Sequence, residues 1–71
     1  MVKIVIYEDN KLLFQYESNV IPNAKECIYY NGIFYRVVDR IYVISENIYN
    51  ENIPDKNYLS SINLNVIEIE S

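Results

Sequence analysis

The pair Asn31-Gly32, which separates two runs of apolar and aromatic residues, constrains the fold more than any other feature of this sequence. A two-residue β-hairpin turn needs positive φ at both central positions, and Asn-Gly adopts that conformation readily. The turn pairs Tyr30 with Ile33 and sets the register of both strands. Because alternate residues of a strand share a face, the hairpin is predicted to hold Ile28, Tyr30, Ile33, Tyr35 and Val37 on one side and Cys27, Tyr29, Phe34, Arg36 and Val38 on the other. Both sides are largely apolar, whereas packing against a core requires only one apolar side.

The rest of the chain is also strand-like. β-Branched and aromatic residues dominate, alanine occurs once, and no window shows the spacing of an amphipathic helix. Such side chains suit a pleated, half-buried surface. We therefore predict an all-β fold of about five antiparallel strands, with two tight hairpins and a C-terminal strand.

The first hairpin is predicted from its alternation. Ile4 and Ile6 share a face with Leu12, Phe14 and Tyr16 if the loop has three residues, Glu8-Asp9-Asn10, so that Ile6 pairs with Leu12 and Ile4 with Phe14. A two-residue loop would turn these two sets to opposite faces. Asn10 tolerates the left-handed conformation that a three-residue loop needs at its end.

The second half of the chain is less regular. The strand that begins at Ile33 is predicted to run to Ile44, with a bulge near Asp39, which falls on an otherwise apolar face. Residues 45–61 are rich in asparagine and are predicted to form a long inserted loop within a single domain, 1–71. The last strand alternates through Ile62, Leu64 and Val66 and then changes phase, which indicates another bulge or two environments. A small open barrel or curled sheet is expected, and a single antiparallel sheet that dimerises is the alternative.

Length and composition exclude several classes of protein. A chain of 71 residues forms one domain at most and buries a small core. Cys27 is the only cysteine and histidine is absent, so we expect no internal disulfide, no metal site and no cofactor. Without a disulfide or a metal ion to stabilise so small a core, self-association into a homodimer is a further way to gain stability. No signal peptide or membrane span is expected, which predicts a cytoplasmic protein without membrane partners.

The net charge of −4 comes from the C-terminal part of the chain. Charges cancel over residues 1–45, whereas residues 46–71 carry Lys56 against Glu46, Glu51, Asp55, Glu68 and Glu70. Direct binding to nucleic acid is disfavoured, because phosphate contacts need cationic groups. An acidic surface instead favours a basic protein partner, including one that itself binds nucleic acid, or simply keeps the protein soluble.

Catalysis has little support in the sequence. No histidine is available to activate Cys27, and the single glycine lies in a hairpin turn, so no glycine-rich phosphate loop exists. Cys27 is expected to be a small buried or half-buried apolar residue. We predict a protein that is not an enzyme.

Two groups of residues have the character of a binding site. The first is a stripe of alternate positions, Phe34, Arg36, Val38, Arg40 and Tyr42, with Tyr29 beside Phe34. Tyrosine and arginine are enriched at protein interfaces, and small barrels use similar faces to stack bases. An ordinary outer sheet face, with arginines paired to neighbouring carboxylates, is the alternative.

The second group lies in the predicted loop and consists of Tyr49, Glu51, Asp55 and Tyr58. Tyrosines in such a loop would be rigid contacts and the asparagines around them adaptable ones, as in a paratope. A plain surface connection is the alternative.

One stretch, VIPNAKECIYYNGIFYRVVDRIYVI, resembles a pattern found in small proteins of bacteriophages and mobile elements. An isoleucine-proline entry leads to a strand, a tight turn, a Tyr-x-Val and a second strand; the matching positions are Ile21, Pro22, Ile28, Tyr30, Asn31, Gly32, Tyr35, Val37 and Ile41. The glycine usual after the proline is replaced here by Asn23-Ala24-Lys25, and residues 45–61 are inserted. The short, acidic chain is also similar in kind to phage inhibitors of bacterial defence, such as anti-CRISPR proteins.

The resemblance implies a non-enzymatic inhibitor that blocks a bacterial protein, for example a defence nuclease, by occluding its surface. Two other functions fit the residues. A phage assembly protein would self-associate through its sheet edges, and a sequestering protein would hold a nucleotide signal between Arg36, Arg40 and the aromatic rings.

Overall fold

The computed structural model describes residues 1–47 and 56–69, which form one five-stranded curled sheet. The strands are β1 (Val2–Glu8), β2 (Lys11–Ser18), β3 (Cys27–Tyr30), β4 (Ile33–Asn47) and β5 (Lys56–Ile69), and their order across the sheet is β2-β1-β5-β4-β3. No helix occurs among the described residues. The prediction of an all-β protein is confirmed.

The prediction that every strand is antiparallel is wrong for one pair. The β1–β2, β3–β4 and β4–β5 pairs are antiparallel, but β5 lies parallel to β1, with Ile4 opposite Ile62 and Ile6 opposite Leu64. This arrangement places β1 and β5 side by side in the middle of the sheet, where all four of these side chains are fully buried. Burial of β1 and β5 together therefore decides the topology.

The first hairpin turns through two residues, and the predicted three-residue loop is wrong. Asp9 and Asn10 take φ of 50° and 64°, and Glu8 pairs with Lys11. A bulge then follows in β2, where Leu13 is the extra residue, so Ile6 pairs with Phe14. The bulge returns the apolar residues of β2 to the same face as those of β1, which a two-residue turn alone would not do.

The second hairpin has the predicted register. Asn31 and Gly32 take φ of 52° and 84°, Tyr30 pairs with Ile33, and Cys27 pairs with Arg36. Tyr35 and Val37 are buried on the inner face, as expected. The turn chemistry therefore determines this part of the structure locally.

The predicted bulge near Asp39 is also present, with Val38 as the extra residue of β4. Residues 45–47 and 56–61, predicted as loop, belong to β4 and β5, so these two strands are longer than expected. A second irregularity makes Ser60 the extra residue of β5. The pairing of β5 with β4 shows no register shift at Val66 and Ile67, so the phase change there is not a bulge. It reflects two environments: Val66 is buried on the inner face, and Ile67 is 49% exposed on the outer face.

The core lies on the inner face of the curled sheet and consists of Ile4, Ile6, Tyr35, Val37, Ile62, Leu64 and Val66. Edge strands β2 and β3 approach each other across it, and the rings of Phe14 and Tyr30 stack with centroids 3.8 Å apart and planes inclined by 15°. Ile21, in the β2–β3 connection, packs against the same cluster. The stacked rings thus join the two edges of the half-barrel by side chains.

We expect Phe14 and Tyr30 to be energetically coupled. A double-mutant cycle with Phe14→Leu and Tyr30→Leu should give a coupling of about 0.5–1.5 kcal/mol in the free energy of unfolding, because the stack exists only when both rings are present. Urea denaturation measures it. The cycle with Tyr29→Leu in place of Tyr30→Leu is the control, since Tyr29 lies on the opposite face. Equal coupling in both cycles would contradict closure by this stack.

We also expect alkaline pH to destabilise the protein through Tyr35. Burial raises the pKa of its phenol above the ordinary value of 10.0, and the charges of Glu8 and Glu68 raise it further. At pH below about 10 the phenol is neutral in the folded and unfolded chain alike. Above that pH the unfolded chain loses the proton first, so stability falls as pH rises towards the folded pKa.

Urea denaturation between pH 8 and pH 11 tests this, and Tyr35→Phe should show a shallower decline than the wild type. Part of the decline should remain, since burial also raises the pKa of Tyr16. Tyr29→Phe, the same change on an exposed ring, is the matched control. An unchanged slope in Tyr35→Phe would refute the role of this phenol.

Candidate functional site

The bulge at Val38 divides the predicted binding stripe between the two faces of the sheet. Arg36 pairs with Ile67 on the outer face, whereas Arg40 pairs with Leu64 and therefore shares the inner face with the core. One extra residue moves every following side chain to the other face. The prediction that Phe34, Arg36, Val38, Arg40 and Tyr42 form one stripe is therefore wrong: Phe34 and Arg36 point outward, and Arg40 and Tyr42 inward.

The outward residues belong to a patch that spans β3, β4 and β5. Tyr29 pairs with Phe34, which pairs in turn with Ile69; in the neighbouring row, Cys27, Arg36 and Ile67 are paired in the same way. Residues that pair directly have their side chains on the same face and in contact range. We call these six residues the outer patch.

Exposure and ring geometry show that the outer patch faces solvent. Tyr29 is 64% exposed, and its ring lies 4.7 Å from that of Phe34, tilted by 46°. Ile67 is 49% exposed and stands across from Arg36. The patch is thus a continuous set of rings and aliphatic chains around one guanidinium.

Sequence reasoning identified Tyr29, Phe34 and Arg36 in this patch but missed Ile67 and Ile69. The change of phase after Val66 was the available signal, because it places two isoleucines on the face opposite the core. Only the β4–β5 register brings them beside Phe34 and Arg36. Cys27 lies opposite Arg36 but is exposed, so its expected burial is wrong.

Arg40 holds a loop in place on the inner side. Its Nη1 donates to Oδ1 of Asn23, and its guanidinium carbon lies 5.3 Å from the centroid of the Tyr42 ring. Asn23 lies in a tight loop, since its backbone N–H donates to Oε1 of Glu26 at 2.6 Å. The Nε of Arg40 is buried without a partner among the described residues. The arginine thus connects the β2–β3 loop to β4 beyond the bulge.

The far ends of β4 and β5 extend past the rest of the sheet. β1 pairs with β5 only from Ile62 to Asn65, so residues 42–46 and 57–61 form a two-stranded extension that we call the ribbon. Its large apolar side chains are exposed on both faces: Tyr42, Ile44, Tyr58 and Leu59. Of the predicted loop site, Tyr58 lies here at 53% exposure, whereas Tyr49, Glu51 and Asp55 lie outside the described residues.

Comparison with known proteins gives no family for this chain. No model of a known protein family, no curated protein and no solved structure matches it. Among the described residues, no group of three or more histidine, cysteine, aspartate and glutamate side chains could hold a metal ion, and no helix could span a membrane.

Proposed function

We propose that the protein is a non-enzymatic binding protein of the bacteriophage or mobile-element type, which blocks a bacterial protein by covering its surface. The outer patch carries this proposal. It exposes two aromatic rings, an arginine and Ile67, with the half-buried Ile69 beside them, on the face that the core does not use. Contiguous exposed apolar surface on a small soluble protein is typical of a site that another molecule covers.

The composition of the outer patch suits a protein partner. Tyrosine and arginine are among the residues most enriched at positions that dominate binding energy, and such positions cluster within apolar surroundings. Here Arg36 lies between exposed Cys27 and Ile67, with Tyr29 and Phe34 in the next row. All of them stand on hydrogen-bonded strands, so little conformational entropy is lost when they are covered.

The charge of the chain bears on the nature of the partner. The net charge of −4 disfavours direct contact with a nucleic acid backbone and favours approach to a basic surface. Nucleic-acid-binding proteins of the bacterial host, including defence nucleases, present such surfaces. The partner we propose is therefore a basic effector of this kind.

The positions of the two arginines favour this proposal over the nucleotide-sequestering alternative. That alternative requires Arg36 and Arg40 to converge on one ligand together with the aromatic rings. The two arginines lie on opposite faces of the sheet, because the bulge at Val38 separates them. We do not propose it.

We expect Tyr29→Ala and Phe34→Ala each to weaken binding to the captured partner by roughly 30-fold, the effect of losing about 2 kcal/mol at a dominant contact. A tagged protein captures the partner from bacterial lysate, and calorimetry with the purified partner gives the dissociation constants. Stability should change by less than about 0.5 kcal/mol for Tyr29→Ala, since the ring is largely exposed.

Val20→Ala is the control, because Val20 is 79% exposed and lies in the β2–β3 connection, outside the six residues of the outer patch. It should bind as the wild type does. Wild-type affinity in both aromatic variants would show that the partner uses another surface.

A further inference from the structure

The middle of the free edge of β4 lacks the charges and prolines that usually protect an exposed strand. β3 pairs with β4 as far as Arg36, and the backbone of Lys25 and Glu26 then bonds to Val37 at 2.8 and 2.9 Å. From Asp39 to Asn47 no described strand pairs with this edge. Residues 41–45 contain no charge and no proline, whereas solitary edge strands normally carry such residues to prevent pairing with another chain.

We propose that this edge is the interface of a homodimer, in which β4 pairs antiparallel with β4 of a second copy about Val43. The carbonyl oxygen of Val43 accepts a hydrogen bond from the Ser60 hydroxyl at 3.1 Å and therefore points towards β5. Because successive residues alternate in direction, the backbone groups of Tyr42 and Ile44 point to the free edge, where a new strand can bond to them.

Charge complementarity selects this register. Pairing about Val43 places Arg40 opposite the partner's Glu46 and, by symmetry, Glu46 opposite the partner's Arg40. It also places Tyr42 opposite the partner's Ile44, so the apolar residues meet each other. A register shifted by two positions places a charged residue opposite an apolar one, either Arg40 opposite the partner's Ile44 or Tyr42 opposite the partner's Glu46. A register shifted by one position places the inner face of one copy beside the outer face of the other.

Arg40 is prepared for this contact. Its guanidinium is already held by Asn23 and lies over the Tyr42 ring. Glu46 is exposed on the same inner face, two residues beyond Ile44. A positioned arginine loses less conformational entropy when it meets a carboxylate, so the pair favours a second copy over an uncharged strand.

Pairing would also stabilise the ribbon itself. A two-stranded hairpin alone is marginally stable in water, and the ribbon has only β4 and β5. A second copy makes it four-stranded and brings Tyr42 into contact with the partner's Ile44 across the new strand pair. The proposal concerns a different surface from the outer patch and does not rest on the proposed function.

Sedimentation equilibrium from low micromolar to near-millimolar concentration tests the proposal. The wild type should form a species of twice the 8.5 kDa monomer mass. Glu46→Arg and Arg40→Glu should each raise the dissociation constant of the homodimer at least about tenfold, because each brings like charges together twice. An equimolar mixture of the two variants should dimerise again, since the mixed dimer restores opposite charges at both contacts.

The mixture separates loss of the interface from loss of folding, because a misfolded variant cannot restore a dimer. Hydrogen exchange gives a second readout: the amides of Tyr42 and Ile44 should exchange slowly in the wild type and faster in Glu46→Arg. A wild-type monomer at all concentrations, or a mixture that stays monomeric, would overturn the proposal. Tyr29→Ala should leave the dimer intact, so failure here and failure of the outer patch are distinguishable.

Discussion

The structure depends on the burial of β5 in the middle of the sheet. From Asn57 to Ile67 this strand carries no charge, and its inward side chains Ile62, Leu64 and Val66 are buried. It pairs with β1 on one edge and with β4 on the other. Every other strand is placed by this one: β1 joins it in parallel, β4 returns against it, and the two edge strands meet across the core through Phe14 and Tyr30.

Bulges then distribute the apolar residues between the core and two exposed surfaces. Leu13 restores the facing of β2 after a two-residue turn, and Val38 reverses the facing of β4 halfway along its length. Before Val38 the outward positions of β4 contribute to the outer patch; after it, the inward positions hold Arg40 and, within the ribbon, Tyr42. A single extra residue in β4 therefore separates a face suited to a partner protein from an edge suited to a second copy of the chain.

The two surfaces have different physical character, which is why we assign them different partners. The outer patch is a set of side chains on strands whose backbones are already hydrogen-bonded, so it can only be covered face to face. The β4 edge offers unpaired backbone groups and a self-complementary order of charges, so it is suited to strand addition. A dimer joined through this edge would present two outer patches on one continuous sheet, which gives avidity towards a partner that is itself repeated or symmetric.

The sequence by itself determined the features that depend on neighbouring residues: the all-β class, the Asn31-Gly32 hairpin with its register, and the bulge beside Asp39. Turn chemistry and a charged residue on an apolar face act over a few positions, so they can be read without the fold. Only the tertiary structure decided the parallel pairing of β1 with β5, the bulge at Leu13 and the assignment of Ile67 and Ile69 to the outer patch. Each of these depends on which distant strand lies alongside, and several registers satisfy the local pattern equally well until burial of the core selects one.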